Sequence, residues 1–127
     1  MGLRTDLHNR LCLLLASLGS NYWGVTQPLP GKTLAETVLI EASKHVYYQP
    51  PENIKMLYPC ILYEKDRHDV RHADDNRYID WPKYTATVID RNPEGRIPDK
   101  LLTLQYCSFD RRFINDNLYH DVFTIYY

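Results

Sequence analysis

The sequence predicts one α+β domain over residues 1–127, a mostly antiparallel sheet with helices on one face. Three features carry that expectation: a leucine stripe at helical spacing near the N-terminus, a two-residue alternation in the middle, and two strand-like segments at the end joined by Asn and Asp. A chain of 127 residues has room for one ordinary core. Its 44% hydrophobic and 24% charged residues fit a folded domain, since disorder goes with few apolar residues and high net charge.

Leu3, Leu7, Leu11, Leu14, Leu15 and Leu18 recur three and four apart, which lines one face of a helix over 3–18. Gly19 is placed to end it in a left-handed conformation. Each buried leucine contributes about 1.5 to 3 kcal/mol, so the stripe must pack on something, most simply a sheet. Residues 20–32 contain Gly24, Pro28, Pro30 and Gly31 and read as a loop. Thr33 and Glu36 then have the spacing of a capping box that opens a second helix, with Leu34, Val38 and Ala42 on its apolar face beside Ala35 and Leu39.

Strand signals follow. Residues 45–49 form a short aromatic strand stopped by Pro50 and Pro51, and 56–64 form a second. Residues 66–76 are a polar connection. Over 78–90, Tyr84, Ala86 and Val88 alternate with Thr85, Thr87 and Ile89, giving a strand that pairs with its predecessor as a long hairpin. Asn92, Pro93, Glu94 and Gly95 make a turn, Pro98 starts a short helix over 98–104, and two strands, 106–114 and 118–127, end the chain around a turn at Asn115, Asp116 and Asn117.

A formal net charge of −1 supplies no field for holding a polyanion, which disfavours a dedicated DNA binder. Cys12, Cys60 and Cys107 are widely spaced and form no C-x-x-C pair, so neither a disulfide framework nor a zinc site is expected. The apolar run 11–18 is far shorter than the roughly 20 residues of a membrane span. As the core of a signal peptide it is compromised by Asp6, Asn9 and Arg10.

Motifs for chemistry are weak. Gly31, Lys32 and Thr33 look like the end of a P-loop, but position 26 is Thr where the motif needs glycine. His68 and His72 lie four apart in a polar hairpin connection, without the Glu between them that a zincin requires. Asp110, Arg111, Arg112, Asp116, His120 and Asp121 follow Cys107 and could be imagined with it as a nucleophilic site, but Cys107 has no motif around it, and His120 and Asp121 are neighbours on a strand and point to opposite faces. No catalytic group, metal or cofactor is therefore expected. Eleven tyrosines favour both strands and interfaces, and interleaved with bases they leave a small nucleic-acid-binding module as an alternative. The charged residues read as subunit-interface candidates are Arg67, Asp69, Arg71, Asp74 and Asp75 in the polar connection and Arg111 and Arg112 near the C-terminus.

Several blocks together carry a resemblance. They are Val46-Tyr47-Tyr48-Gln49-Pro50-Pro51-Glu52, Tyr58-Pro59-Cys60-Ile61-Leu62-Tyr63, Ala73-Asp74-Asp75, Tyr84-Thr85-Ala86-Thr87-Val88-Ile89-Asp90, Ile97-Pro98-Asp99, and Phe109-Asp110-Arg111-Arg112-Phe113 leading into Asp116-Asn117-Leu118-Tyr119-His120-Asp121-Val122-Phe123. In this order they resemble a family of small virion proteins of long-tailed bacteriophages, the minor capsid, head-tail joining or tail-terminator proteins. The resemblance implies a tail-terminator-like fold and a homo-oligomeric ring, of six copies in that family, at the head-tail junction of the virion. It further implies a tail tube protein and a head connector or stopper as partners, with DNA only in transit and no membrane. A head-completion (stopper) protein is the alternative within the same class. Residues 21–44 depart from the family pattern and read as an insertion carrying the capped helix.

Overall fold

The computed structural model describes residues 4–50, 55–66 and 82–127. In chain order the elements are α1 (Arg4–Ala16), α2 (Ser20–Trp23), α3 (Leu34–Ser43), β1 (Val46–Tyr48), β2 (Cys60–Lys65), β3 (Lys83–Asp90), α4 (Ile97–Leu101), β4 (Cys107–Asn115) and β5 (Leu118–Tyr126).

From Leu7 onward the leucine stripe does what its spacing predicts, Leu3 lying outside the described residues. Leu7, Leu11 and Leu15 are fully buried, and Leu14 packs at the margin of the same core. They meet Ile61 and Tyr63 of β2, Tyr84, Ala86 and Val88 of β3, and Phe123 and Ile125 of β5, with Ile97 and Leu101 of α4 completing the cluster. The alternation in β3 is thus the alternation of an inner and an outer sheet face. Helix α1 ends in shorter-range bonds, Leu18 N–H to Leu15 O at 3.1 Å and Gly19 N–H to Ala16 O at 3.1 Å. Gly19 has φ +98° and ψ +164°, so it breaks the helix in an extended positive-φ conformation rather than the left-handed helical one expected of it.

The five strands run in the order β1-β2-β3-β5-β4. Every pair is antiparallel except β1 with β2, which is parallel, so the sheet is mixed. The expected β2–β3 hairpin is present, with Cys60 opposite Ile89 and Lys65 opposite Tyr84. The second strand starts at Cys60, later than the sequence suggests. Pro59 has no N–H for the ladder, and the segment before it serves another purpose, with Leu57 O and Pro59 O lying 3.2 and 2.8 Å from Nδ1 of the buried His45. His45 also packs on Trp23, with ring centroids 4.6 Å apart.

The stretch 20–32 is not wholly a loop. Its first residues form the single turn α2, closed by Gly24 at φ +69° and held by Trp23 Nε1–H donating to Leu15 O at 2.7 Å. The capping box is present as predicted: Thr33 N–H donates to Glu36 Oε1 at 2.8 Å, and Glu36 N–H to Thr33 Oγ1 at 3.1 Å. Thr37, absent from the predicted apolar face, is buried and donates to Thr33 O at 2.9 Å.

The cap makes a testable contribution. Thr33→Ala is expected to lower stability by about 1 kcal/mol in urea unfolding. The bond to the Thr33 amide holds the Glu36 carboxyl below its ordinary value of 4.5. A depressed carboxylate stabilises the fold fully above its unfolded value, so this contribution is complete above about pH 4.5 and is lost as pH falls through the lower folded value. Exchange of the Thr33 amide proton, read by NMR, will accelerate over that window beyond the ordinary pH dependence of exchange. Glu36→Gln, which keeps an oxygen acceptor but does not titrate, will flatten the change.

Candidate subunit interface

The C-terminal hairpin, β4 and β5, turns at Asp116 and Asn117, whose φ values of +54° and +62° are the left-handed pair of a two-residue turn that Asp and Asn tolerate. Asn115 belongs to β4. β5 sits inside the sheet between β3 and β4, while β4 lies at the edge, and among the described residues it pairs with β5 alone. An edge strand of nine residues presents a row of backbone donors and acceptors to whatever comes next.

A bulge changes which β4 side chains share a face. Phe109 lies opposite Phe123, but Arg111 lies opposite Val122, leaving Asp110 without a counterpart. Strict alternation would put Arg111 with Phe109 on the helix-bearing face. The bulge puts Arg112 and Ile114 there, and sends Arg111 and Phe113 to the other face. Phe109 then packs edge-on against buried Phe123 at 5.5 Å between centroids, and Phe113 stacks on His120 at 4.6 Å.

The two arginines read as interface candidates therefore differ. Arg112 is committed within its own subunit: Nε–H and Nη2–H donate to Asp121 Oδ1 and Oδ2 at 2.6 and 3.0 Å, and Nη2–H also donates to Pro93 O at 2.8 Å. It ties the hairpin to the 92–95 turn and neutralises Asp121, only 5% exposed. Its guanidinium is thus held by a buried carboxylate, while part of it remains at the surface. Arg111 stays at the surface beside Asp110, with a 2.9 Å ion pair. Exposed pairs of this kind contribute about 0 to 1 kcal/mol and exchange partners easily.

No local sequence pattern marks the apolar side chains of this edge as exposed. Ile114 is 63% exposed and Phe113 is 40% exposed, both beside the hairpin turn, and Phe109 is exposed further back. Their exposure follows from the edge position of β4, which the strand order reveals and the local sequence does not.

Arg67, Asp69, Arg71, Asp74 and Asp75, like His68 and His72, lie outside the described residues. Cys107 faces the helix-bearing side opposite Ile125, whereas His120 lies on the opposite face with Phe113, so the two are not brought together. Burial pushes the Cys107 thiol up to about 11 and the Cys60 thiol up to about 12, which keeps both protonated at neutral pH. Among the described residues no three His, Cys, Asp or Glu side chains are grouped to hold a metal ion, and no helix is long and apolar enough to cross a membrane.

A second polar cluster secures the start of α1. The neutral His8 ring, pushed down by burial and by the Arg4 charge, places Nδ1 2.7 Å from the hydroxyl of buried Tyr63, and Arg4 Nη1–H donates to the same oxygen at 3.4 Å. Arg4 also lies 4.5 Å over the Tyr48 ring. These contacts join the first turn of α1 to β1 and β2, which makes this a structural brace. No family model, curated protein or solved structure matches the chain.

Proposed function

We propose that this protein is a structural virion component that assembles into a ring at the top of a phage tail tube, ends tube growth and offers the surface on which the head docks. The observation that supports assembly is the β4 edge: nine residues paired on one side only among those described, with Phe113 and Ile114 exposed at its tip. Apolar side chains on an unpaired edge promote association, and closing a ring confines that association to a finite particle. The place in the virion rests on the resemblance of the sequence blocks between Val46 and Phe123, and the count of six rests on the same resemblance.

In this reading the protein acts by geometry. One edge of the ring abuts the last layer of the tube, the other receives the head connector, and DNA passes through the centre. A net charge of −1 suits transit, because a strongly basic lumen would hold the DNA.

Deleting the gene in a virus that makes this protein is expected to leave filled heads unjoined and tails of uncontrolled length. Normal tail lengths with unjoined heads would place the protein in the stopper layer instead. Particles that assemble and infect normally would refute both positions and favour the nucleic-acid-binding module.

A further inference from the structure

Helices α1 and α3 leave a groove of about 580 Å³ between them, lined by Leu13, Ala16, Leu34, Ala35, Val38 and Leu39. Leu13 is 54% exposed and Leu34 is 41% exposed, although both belong to helices that otherwise bury their apolar faces. The lining is almost entirely apolar, and its main charge is Glu36 at the first turn of α3. The carboxylate is half used, since Oε1 accepts from the Thr33 amide.

The same chain carries a complementary protrusion. Phe113 and Ile114 point to opposite faces of β4 just behind the polar turn at Asp116 and Asn117, so the arm of the hairpin next to the turn carries an exposed apolar side chain on each face. Arg111, exposed, paired with Asp110 and lying 6.0 Å from the centre of the Phe113 ring, stands next to them. The groove belongs to the β1 side of the subunit, because α3 runs directly into β1 and α1 touches it, while β4 is the opposite edge of the sheet. Knob and hole therefore lie at different ends of one molecule, the arrangement that generates head-to-tail contacts and closes into a ring when the rotation permits.

We infer that the hairpin tip of one copy docks into the α1–α3 groove of the next, with Phe113 and Ile114 between Leu13, Leu34 and Leu39, and Arg111 exchanging Asp110 for Glu36 of the neighbour. A second copy suits the groove because the exposed apolar side chains of the hairpin match its apolar lining and Arg111 is opposite in sign to Glu36 at its rim. The inference rests on the ring reading and names the surfaces that would make the ring. It also gives α3 a purpose, since α3 supplies one wall of the groove.

Two variants on opposite halves of the contact test it. Ile114→Asp changes a largely exposed edge residue, and Leu34→Asp places an acid at the first position of a helix, where it is tolerated. Each alone is expected to keep the wild-type melting curve and to lose self-association by about thirtyfold or more, the size of an interface hot spot. An equimolar mixture, followed by sedimentation velocity, is expected to form one-to-one heterodimers and nothing larger, because one intact knob and one intact hole remain. Phe113→Ser and Leu13→Gln form a second pair should either first variant fold poorly.

Assembly lost in the tip variants but kept in the groove variants would mean that the tip pairs elsewhere, and overturns the inference. So would two deficient variants that fail to complement each other. If the wild-type chain assembles and all four variants assemble like it, the inference fails while the ring reading stands. A wild-type chain that stays monomeric up to its solubility limit overturns both.

Discussion

Leu11→Ala is expected to lower stability by about 2 to 5 kcal/mol, read as a fall in the urea midpoint at unchanged slope. Leu11 is fully buried at the centre of the stripe that seats α1 on the sheet. Removing three carbons there leaves a hole bounded by rigid elements, and only part of it collapses. A domain of this kind has about 5 to 15 kcal/mol in total, so one truncation removes a large share. Leu13→Ala is the contrasting measurement. Leu13 is on the outward side of the same helix, and its truncation is expected to shift the midpoint by no more than about 0.5 kcal/mol.

Asp121→Ala is expected to destabilise by about 1.5 to 3 kcal/mol, because it removes the acceptor of two charge-assisted bonds and leaves Arg112 with only Pro93 O and the face of the Tyr119 ring. The half-exposed guanidinium regains water, which keeps the loss below that of a fully buried pair. The pair also fixes how β4 sits against β5 and the 92–95 turn, so the hairpin tip will lose definition and any assembly through it will weaken. Arg111→Ala, one residue away, is expected to leave the melting temperature nearly unchanged, since its partner Asp110 is exposed. Equal effects from the two substitutions would contradict the different roles assigned to these neighbours.

That difference shows where sequence patterns carry information and where they stop. Thr33 and Glu36 announce α3 because a capping box is closed within four residues. Tyr84, Ala86 and Val88 announce the buried face of β3 because a strand alternates by geometry alone. Arg111 and Arg112 look equivalent in sequence, and the bulge at Asp110 separates them; nothing in a local pattern reveals where a strand gains a residue. The single turn α2 is too short for periodicity and is held by Trp23 reaching Leu15 and His45, contacts that lie outside α2 itself. The parallel pairing of β1 with β2 and the placement of β5 beside β3 are equally non-local. The exposed tip at Phe113 and Ile114 becomes visible only once β4 is known to be an edge.

The proposed ring lies at the junction of head and tail. Its most direct test is to image intact virions carrying a tagged copy of this chain and locate the tag by cryo-electron microscopy. A closed ring of tagged subunits is expected between the last tube layer and the head connector. Tag density elsewhere in the particle, or particles that contain none of the chain, would contradict it.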